Sequence, residues 1–342
     1  MKSFLALMLL PVAVQAAVTA ELTPDAIIFR NGDQLITEYH YAGTVKLDKG
    51  EGTKPLAKPY FHPLNAPGGI PVTRGWPLLR GLAGETTDHF HQKSAWFCHG
   101  DVIPDGIELK SRASDKHVQG VDFWSEFPGH GRIVCTSVDK PVMKDGVATV
   151  RTQNEWRTPD GVPVLTEDRS ITVSATERGA LIAVESLLTA AVKSVTFGDT
   201  KEGSFGVRVH DHFRLTGPKS MGVVTDDHGA IAGAPAKDNL PMWGRTAAWH
   251  DYSGRVDGKP VGVTIFTDPR NAHASAWHTR AYGLLAANPF GRAKSGFPAM
   301  KGKTDLVKLA KGETLKLRFG VYAHNGDATA GKVAEAYAEF SK

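Results

Sequence analysis

The sequence predicts an all-β protein, mainly antiparallel, that forms one large β-sandwich and ends in a single helix. Short runs of alternating or β-branched residues recur along the whole chain, as is typical of strands. The 36 glycines and 20 prolines are scattered rather than clustered, which indicates many turns. Helical periodicity is clear only close to the C-terminus, so the helix is expected to be the last element.

The predicted strands share alternation or β-branching and comprise residues 26–30, 35–41, 147–153, 170–175, 180–189, 194–198, 206–209, 261–267 and 315–323. Sequences that favour tight turns separate them: Asn31-Gly32, Asp145-Gly146, Pro159-Asp160-Gly161, Asp257-Gly258 and Asn325-Gly326. The Asp257-Gly258 pair gives the strongest hairpin signal. Residues 331–341 are the predicted helix, because their apolar side chains recur at helical spacing.

The first residues have the parts of a secretory signal peptide. A positive start, Met1-Lys2, precedes the apolar stretch 4–14, and Val14-Gln15-Ala16 fits a cleavage site. We therefore expect residues 1–16 to be removed after Ala16 and the protein to be periplasmic or secreted. No later stretch is long and apolar enough to span a bilayer, so no membrane partner is expected.

The remaining residues, 17–342, contain no Pro- or Ser-rich linker and are predicted to form a single β-sandwich domain. Two smaller sandwiches with a boundary near Gly217-Pro218 are the alternative. The charge balance, 40 basic against 36 acidic residues, includes no dominant basic run and predicts no nucleic-acid partner. Cys98 and Cys135 leave two possibilities open, a disulfide or two reduced thiols.

The seven tryptophans lie in or beside polar segments, and this pattern predicts a carbohydrate ligand. The faces of a sugar ring stack on aromatic rings while its hydroxyls form hydrogen bonds with polar groups. Trp124 and Trp249 are the expected stacking residues. The alternative is that the indoles cap the ends of the sandwich.

His89 and His91 form the sharpest local pattern. Residues two apart on a strand face the same side, so both imidazoles are expected to address one ligand as acid–base groups. If the chain turns back, His99 would be a third imidazole, and three histidines with an open position could hold a divalent metal. A structural role for the pair is the remaining alternative.

A charged, glycine-bounded loop at 198–208 is the second predicted site. We expect Glu202 to act as the base and His89 as the acid, with Lys201 and Arg280 holding negative charge. The other candidates share an ionisable or phenolic side chain: Glu155 and His278 as catalytic groups, and Asp199, Arg208 and Tyr282 as substrate ligands. Glu167 and Arg169 are either further candidates or the outward face of a strand. The clusters are expected to border one cleft.

Six motifs in order, at 58–64, 87–91, 121–124, 197–206, 277–283 and 288–291, resemble the bacterial PmoA-like family. The family pattern Asp-His-Pro-His-His-Arg differs here, because Phe90 replaces the proline and Gln92-Lys93 replace the following His-Arg. The resemblance implies an exported protein that works beside sugar-processing enzymes. The strand pattern is also similar to the large sandwich of mutarotase-like and polysaccharide-lyase-like proteins.

The expected function is therefore that of an exported carbohydrate-active enzyme, a hydrolase, lyase or epimerase acting on a sugar or keto-sugar. It would use histidine and glutamate in a tryptophan-rich pocket. A non-catalytic carbohydrate-binding protein is the first alternative. A metal-dependent oxidase or oxygenase, as the family label implies, is the second.

Overall fold

The computed structural model describes residues 17–217, 220–236 and 241–342. The predicted signal peptide 1–16, including Ala16 at its cleavage site, lies outside the described residues. So does Pro218 at the alternative domain boundary.

The described residues are mostly in strands. In the first half of the chain these are β1 Val18–Leu22, β2 Ala26–Asn31, β3 Gln34–His40, β4 Thr44–Lys46, β5 Thr53–Pro55, β6 Tyr60–Ala66, β7 Ile70–Pro71, β8 Ala95–His99, β9 Val102–Pro104, β10 Arg132–Val138, β11 Val142–Lys144, β12 Val147–Arg157 and β13 Pro163–Ala175. In the second half they are β14 Gly179–Thr189, β15 Val195–Phe197, β16 Gly203–Arg208, β17 Val223–Asp226, β18 Gly229–Gly233, β19 Trp243–Thr246, β20 Trp249–Val256, β21 Lys259–Thr267, β22 Ala276–His278, β23 Leu284–Asn288, β24 Val307–Leu309 and β25 Thr314–Asn325. The α-helix α1 is Val333–Phe340, and short 3-10 helices lie at Asp211–Phe213, Ala293–Ser295 and Pro298–Met300.

Two ten-stranded sheets dominate the described part of the chain. The first has the order β1-β2-β3-β6-β8-β16-β23-β22-β19, with β7 beside β6. The second has the order β10-β12-β13-β14-β25-β21-β20-β17-β18, with β11 beside β12. The strand pairs in both sheets are antiparallel, so the predicted all-β antiparallel fold is confirmed.

The core lies between the two sheets, where aromatic rings from both interlock. Phe97 of β8 lies 5.8 Å from Trp156 of β12 and 5.9 Å from Phe319 of β25, between ring centroids. Phe205 of β16 also reaches Phe319, at 5.4 Å. These contacts join the first sheet to the second and confirm the predicted β-sandwich.

Alternation along the long strands sets which side chains enter this core. Ile171 lies opposite Val184, and Val184 lies opposite Phe319; all three side chains are buried. Because side chains alternate across a strand, a shift of one residue would bury the polar set instead. The hydrophobic pattern therefore determines the register.

The polar pair Glu167 and Arg169 of β13 faces this core and not the solvent. Arg169 donates two hydrogen bonds to Glu167, at 2.8 and 2.9 Å, and a third to the hydroxyl of Tyr39 in the opposite sheet, at 2.8 Å. Trp156 Nε1 and Ser186 Oγ also donate to Glu167. The expectation of an outward face is therefore wrong, because a complete set of partners makes the burial of both charges possible.

The hairpin and the helix agree with the sequence. Asp257 and Gly258 join β20 to β21 with φ angles of 49° and 77°, as a type I′ turn requires. The helix α1 buries Val333 and Phe340 in a small cluster against the second sheet. No helix within the described ranges is long and apolar enough to cross a membrane. Cys98 and Cys135 are both free thiols, so the disulfide alternative is wrong.

The first sheet also carries side chains on the face away from the core. Phe97 and Phe205 point inward, so their neighbours Trp96 and Gly206 face outward, where Trp124 packs against them. A Cβ at Gly206 would lie 2.8 Å from Trp96 Cζ2 and 3.1 Å from Trp124 Cη2. The absence of a side chain at Gly206 therefore allows Trp124 to lie flat on the sheet.

Candidate functional site

A cavity of about 910 Å³ opens on this outer face of the first sheet. It collects most of the predicted site residues although they are distant in sequence: His89, His91, Trp124, Asp199, Lys201, Glu202, His278, Arg280 and Tyr282. The segments that carry them precede β8 and β16, follow β9, and comprise the end of β22 and the residues after it. These strands are neighbours in the sheet or are linked to it, which explains the convergence.

Glu202 stands on the cavity wall directly before β16. Its Oε1 lies 3.8 Å from Lys201 Nζ, and its Oε2 lies 3.9 Å from His278 Nδ1. Burial raises the pKa of Glu202 to about 7, and the charge of Lys201 opposes this shift only in part. The carboxyl group can therefore both accept and release a proton near neutral pH.

His278 lies beside Glu202 as a neutral ring. Its Nδ1 donates a hydrogen bond to the backbone oxygen of Lys201 at 2.9 Å. Burial, with the neighbouring charges of Arg280 and Lys201, holds the pKa of His278 well below its usual range. Because a carbonyl only accepts, the proton is on Nδ1 and Nε2 is left as an acceptor.

His89 also lines the cavity and has a left-handed backbone conformation, with φ of 46°. Its ring stacks on Tyr282, with 4.7 Å between centroids and 10° between planes. Its Nδ1 lies 3.4 Å from Asp88 Oδ2, which leaves Nε2 for a ligand. Burial raises the pKa of Tyr282, so its phenol keeps its proton and can donate a hydrogen bond.

Asp88 is held in turn by two buried arginines. Its Oδ1 accepts hydrogen bonds from Arg74 Nη1 at 2.5 Å and from Arg208 Nη2 at 2.7 Å. Burial alone would raise the pKa of Asp88, but the hydrogen bond from His89 and the two guanidinium groups hold it well below its usual range. Asp88 therefore remains a carboxylate and orients His89.

His91 faces the same cavity as His89, but not from a strand. Gln92 N donates to His89 O at 2.9 Å, so the segment turns after the left-handed residue. The expectation of one strand is wrong, because extended alternation requires β backbone angles that His89 does not have. The two rings nevertheless meet edge to face, 5.8 Å apart. Burial and the charge of Lys58 hold the pKa of His91 well below its usual range.

The predicted metal site is not present in the described part of the chain. His99 lies in β8, its Nε2 donates to Gly198 O at 2.9 Å, and its ring packs edge-on against Phe290. It does not line the cavity. Within the described ranges, no group of three His, Cys, Asp or Glu side chains is arranged to hold a metal ion.

Three further predicted residues lie outside the cavity. Glu155 pairs with Arg157 on β12, with 2.7 Å between the charged atoms. Trp249 packs in the cluster under α1, because β20 belongs to the second sheet. Arg208 lies behind the wall, with its guanidinium carbon 4.6 Å from the centroid of Tyr282, and supports that ring without touching the cavity.

Two predicted residues line the cavity in other roles. Asp199 accepts backbone hydrogen bonds from residues 292, 294 and 295 at 2.6, 2.6 and 3.0 Å, so it fixes a loop. Trp124 is only 1% exposed and cannot offer a free face for stacking.

Phe127 is the aromatic side chain that the sequence reasoning missed. It lines the cavity and is 57% exposed. Its ring packs edge to face with that of His91, with 6.0 Å between the ring centroids. Gln92 and Asp88 were also missed as site residues. The sequence motifs pointed to both positions. Asp88 belongs to the motif at 87–91, and Phe127 lies three residues after the motif at 121–124.

The comparison with known families decides the relationship. The model of DUF6807, a family of unknown function, matches residues 26–338. The chain belongs to the DUF6807 family. The expected membership of the PmoA-like family is therefore wrong, because the family model that matches nearly the whole chain is a different one. No curated protein sequence matches this DUF6807 chain.

Solved structures with a similar strand arrangement are distant from the DUF6807 chain. The GH36 α-galactosidase of Geobacillus stearothermophilus has a TM-score of 0.41 at 7% identity and covers 92% of this chain; the chain spans only 41% of that enzyme. A galactose mutarotase related enzyme of Lactobacillus acidophilus has a TM-score of 0.35 at 9% identity. The match covers 91% of this chain and 98% of that enzyme. A galactose mutarotase-like protein of Clostridium acetobutylicum has a TM-score of 0.38 at 9% identity. The match covers 91% of this chain and 99% of that protein. At this distance they say nothing about what the DUF6807 chain binds.

Proposed function

We propose that this DUF6807 chain is an exported carbohydrate-active enzyme, an epimerase or lyase that moves a proton on a sugar or keto-sugar. The observation that carries the proposal is Glu202, a cavity-wall carboxyl group whose pKa burial raises to about 7. Perturbed carboxyl groups of this kind are typical of acid–base catalysis.

The composition of the cavity supports a sugar as the ligand. Phe127 offers an exposed aromatic face, while Tyr282 and Arg280 supply a phenol and a cation. Sugars present apolar CH faces and many hydroxyls, and this combination matches both.

Among the described residues that line the cavity, a single available carboxyl group favours proton transfer over glycoside hydrolysis. Glycosidases commonly use two carboxyl groups that flank the bond. Of the acidic residues that line the cavity, Asp122 accepts from the backbone of Trp124 and Ser125, and Asp199 holds the loop at 292–295. Asp115 is exposed and accepts from a backbone amide. Glu202 is left for the reaction.

The proposed step begins with Glu202 taking the proton of a carbon beside a carbonyl. The electron pair of that C–H bond moves to the carbonyl oxygen, where Lys201 and Arg280 stabilise the negative charge. Return of a proton from Nε2 of the imidazolium form of His89 to the other face of the carbon gives the epimer, and Glu202 keeps the proton that it took. Departure of an oxygen substituent from the next carbon, with a proton from Nε2 of the same imidazolium, gives the elimination product.

Exchange with solvent deuterium tests the proposal. The protein would be incubated in D₂O with glycosides, keto-glycosides, uronates and free sugars, and the C–H signals followed by NMR. We expect deuterium at one carbon with the wild type and none with Glu202→Gln. Hydrolysis without exchange would contradict the proton-transfer assignment. Binding of a sugar by both proteins without any turnover would support the non-catalytic carbohydrate-binding protein instead.

A further inference from the structure

A second cavity, of about 430 Å³, lies on the other side of the segment that carries His89 and His91. Phe90 and Lys93 of this segment line the second cavity, whereas the two histidines line the first. The two linings share no residue among those described. The second cavity is therefore a separate space, and none of the groups assigned to the reaction faces it.

One residue of the lining, Lys93, belongs to a buried cluster with an excess of positive charge. Glu126 Oε1 lies 2.5 Å from Lys93 Nζ and 3.4 Å from Lys58 Nζ, and Oε2 lies 3.0 Å from Lys54 Nζ. The side chains of Glu126, Lys58 and Lys93 are at most 2% exposed. One carboxylate thus faces three ammonium groups, and burial of unbalanced charge is costly.

Another residue of the lining, His62, has an unsatisfied polar atom. His62 is 8% exposed, and its Nδ1 is buried without a hydrogen-bond partner among the described residues. Burial lowers the pKa of His62 to about 4, so the ring is neutral and adds no charge. The one acidic group in the lining, Glu38, lies 3.4 Å from His40 Nε2.

Apart from Thr44 and Lys46, the rest of the lining is apolar. Tyr60, Pro77 and Phe90 form part of the lining, and Leu79 at the rim is 51% exposed. A concave, mostly apolar surface with a few convergent polar groups is the usual form of a small-molecule site. An exposed leucine beside such a cavity is available to contact an apolar ligand.

We propose that the second cavity binds a small organic monocarboxylate with an apolar or aromatic body. Its carboxylate would lie toward Lys93 and balance the charge of the lysine cluster. Its apolar body would contact Tyr60, Phe90 and Leu79. The proposal is independent of the reaction proposed for the first cavity.

Calorimetric titration with benzoate and with neutral benzamide, which has a similar shape, tests the proposal. We expect benzoate to bind at least about tenfold more tightly than benzamide, because only the anion gains from the lysine charges. Lys93→Met should weaken benzoate binding by a similar factor. Lys110→Met, at an exposed lysine outside both cavities, should leave it unchanged.

A pair of rim variants decides the question even if Lys93→Met does not fold. Leu79→Glu places a negative charge at the mouth of the second cavity, and Leu79→Gln places a neutral side chain of similar size there. We expect benzoate to bind more weakly to Leu79→Glu than to Leu79→Gln. Equal binding by the two rim variants, equal affinity for benzoate and benzamide, or no binding of benzoate to the wild type would overturn the proposal.

Discussion

Among single residues, Asp199 and Glu202 show how one functional group takes two roles. Both carboxylates belong to the same charged loop, and both line the first cavity. Asp199 is surrounded by backbone amides of the loop at 292–295, whereas the carboxyl group of Glu202 lies almost 4 Å from Lys201 Nζ and from His278 Nδ1. The hydrogen-bond donors that distinguish the two carboxyl groups come from the segment near Ser295, about ninety residues away in the chain. The local sequence of the loop does not distinguish them.

The pKa of Glu202 is the first prediction at this scale. The carboxyl carbon of Glu202 should titrate near pH 7, because burial disfavours its charged form. If Glu202 is the base, the rate of deuterium exchange should rise as the pH rises through the same value. Carbon-detected NMR of wild type and Glu202→Gln identifies the signal by difference. A signal that titrates near pH 4 would contradict the prediction.

Asp88 provides the second prediction. In Asp88→Asn the carboxylate that faces His89 Nδ1 is lost, so His89 should lose its preference for the tautomer protonated on Nδ1. Nitrogen-15 NMR of the histidine rings measures this directly. Asp115→Asn, at an exposed acidic residue of the same cavity, is the matched control and should leave the His89 signals unchanged. Identical His89 tautomers in wild type and Asp88→Asn would argue against the orienting role.

At the scale of elements, the turn at 88–93 and strand β16 position the first cavity. The turn sends His89, His91 and Gln92 into the first cavity and Phe90 and Lys93 into the second, although its sequence resembles a strand. The left-handed angle of His89 is maintained by tertiary contacts, namely the stack on Tyr282 and the arginine-bound Asp88. Local propensity disfavours this conformation in a residue other than glycine, so the sequence pattern could not reveal it.

Gly206 of β16 gives the prediction at this scale. Gly206→Ala should destabilise the protein by about 1–3 kcal/mol, because the new methyl group would press on Trp96 and Trp124. It should also weaken any sugar binding, since Trp124 forms part of the cavity wall. Gly233→Ala in β18 is the control, because nothing approaches its Cβ position closer than 4.0 Å. Denaturant unfolding measures both variants, and equal stability would disprove the tight contact.

On the scale of the whole molecule, the Glu167–Arg169 pair joins the two sheets. Arg169 belongs to the second sheet, and its hydrogen bond to Tyr39 crosses the core to the first. By strand alternation the pair lies on the same face as the buried Leu165 and Ile171, and the partners that the opposite sheet and the neighbouring strands supply make the burial of its charges possible.

Glu167→Gln should therefore destabilise the protein by about 3–5 kcal/mol, because Arg169 would remain buried without its counter-charge. Glu155→Gln, on the neighbouring strand, removes a partly exposed partner of Arg157 and should cost less than about 1 kcal/mol. Chemical denaturation of the two variants side by side measures the difference. Similar losses in both would show that the buried pair contributes no more than a surface pair.

The sequence alone determined the all-β class, the strands with strong alternation, the Asp257-Gly258 hairpin and the C-terminal helix. These features depend on the order of residues within short stretches of the chain, and the sequence shows that order directly. It also identified Glu202, His89, His278, Arg280 and Tyr282 as candidates, since ionisable and aromatic side chains cluster there. The tertiary structure alone decided which of the candidates share a cavity. Trp249 and Glu155 belong to the second sheet, and His99 is enclosed by aromatic rings, because strand pairing over long sequence distances sets the face on which each side chain lies.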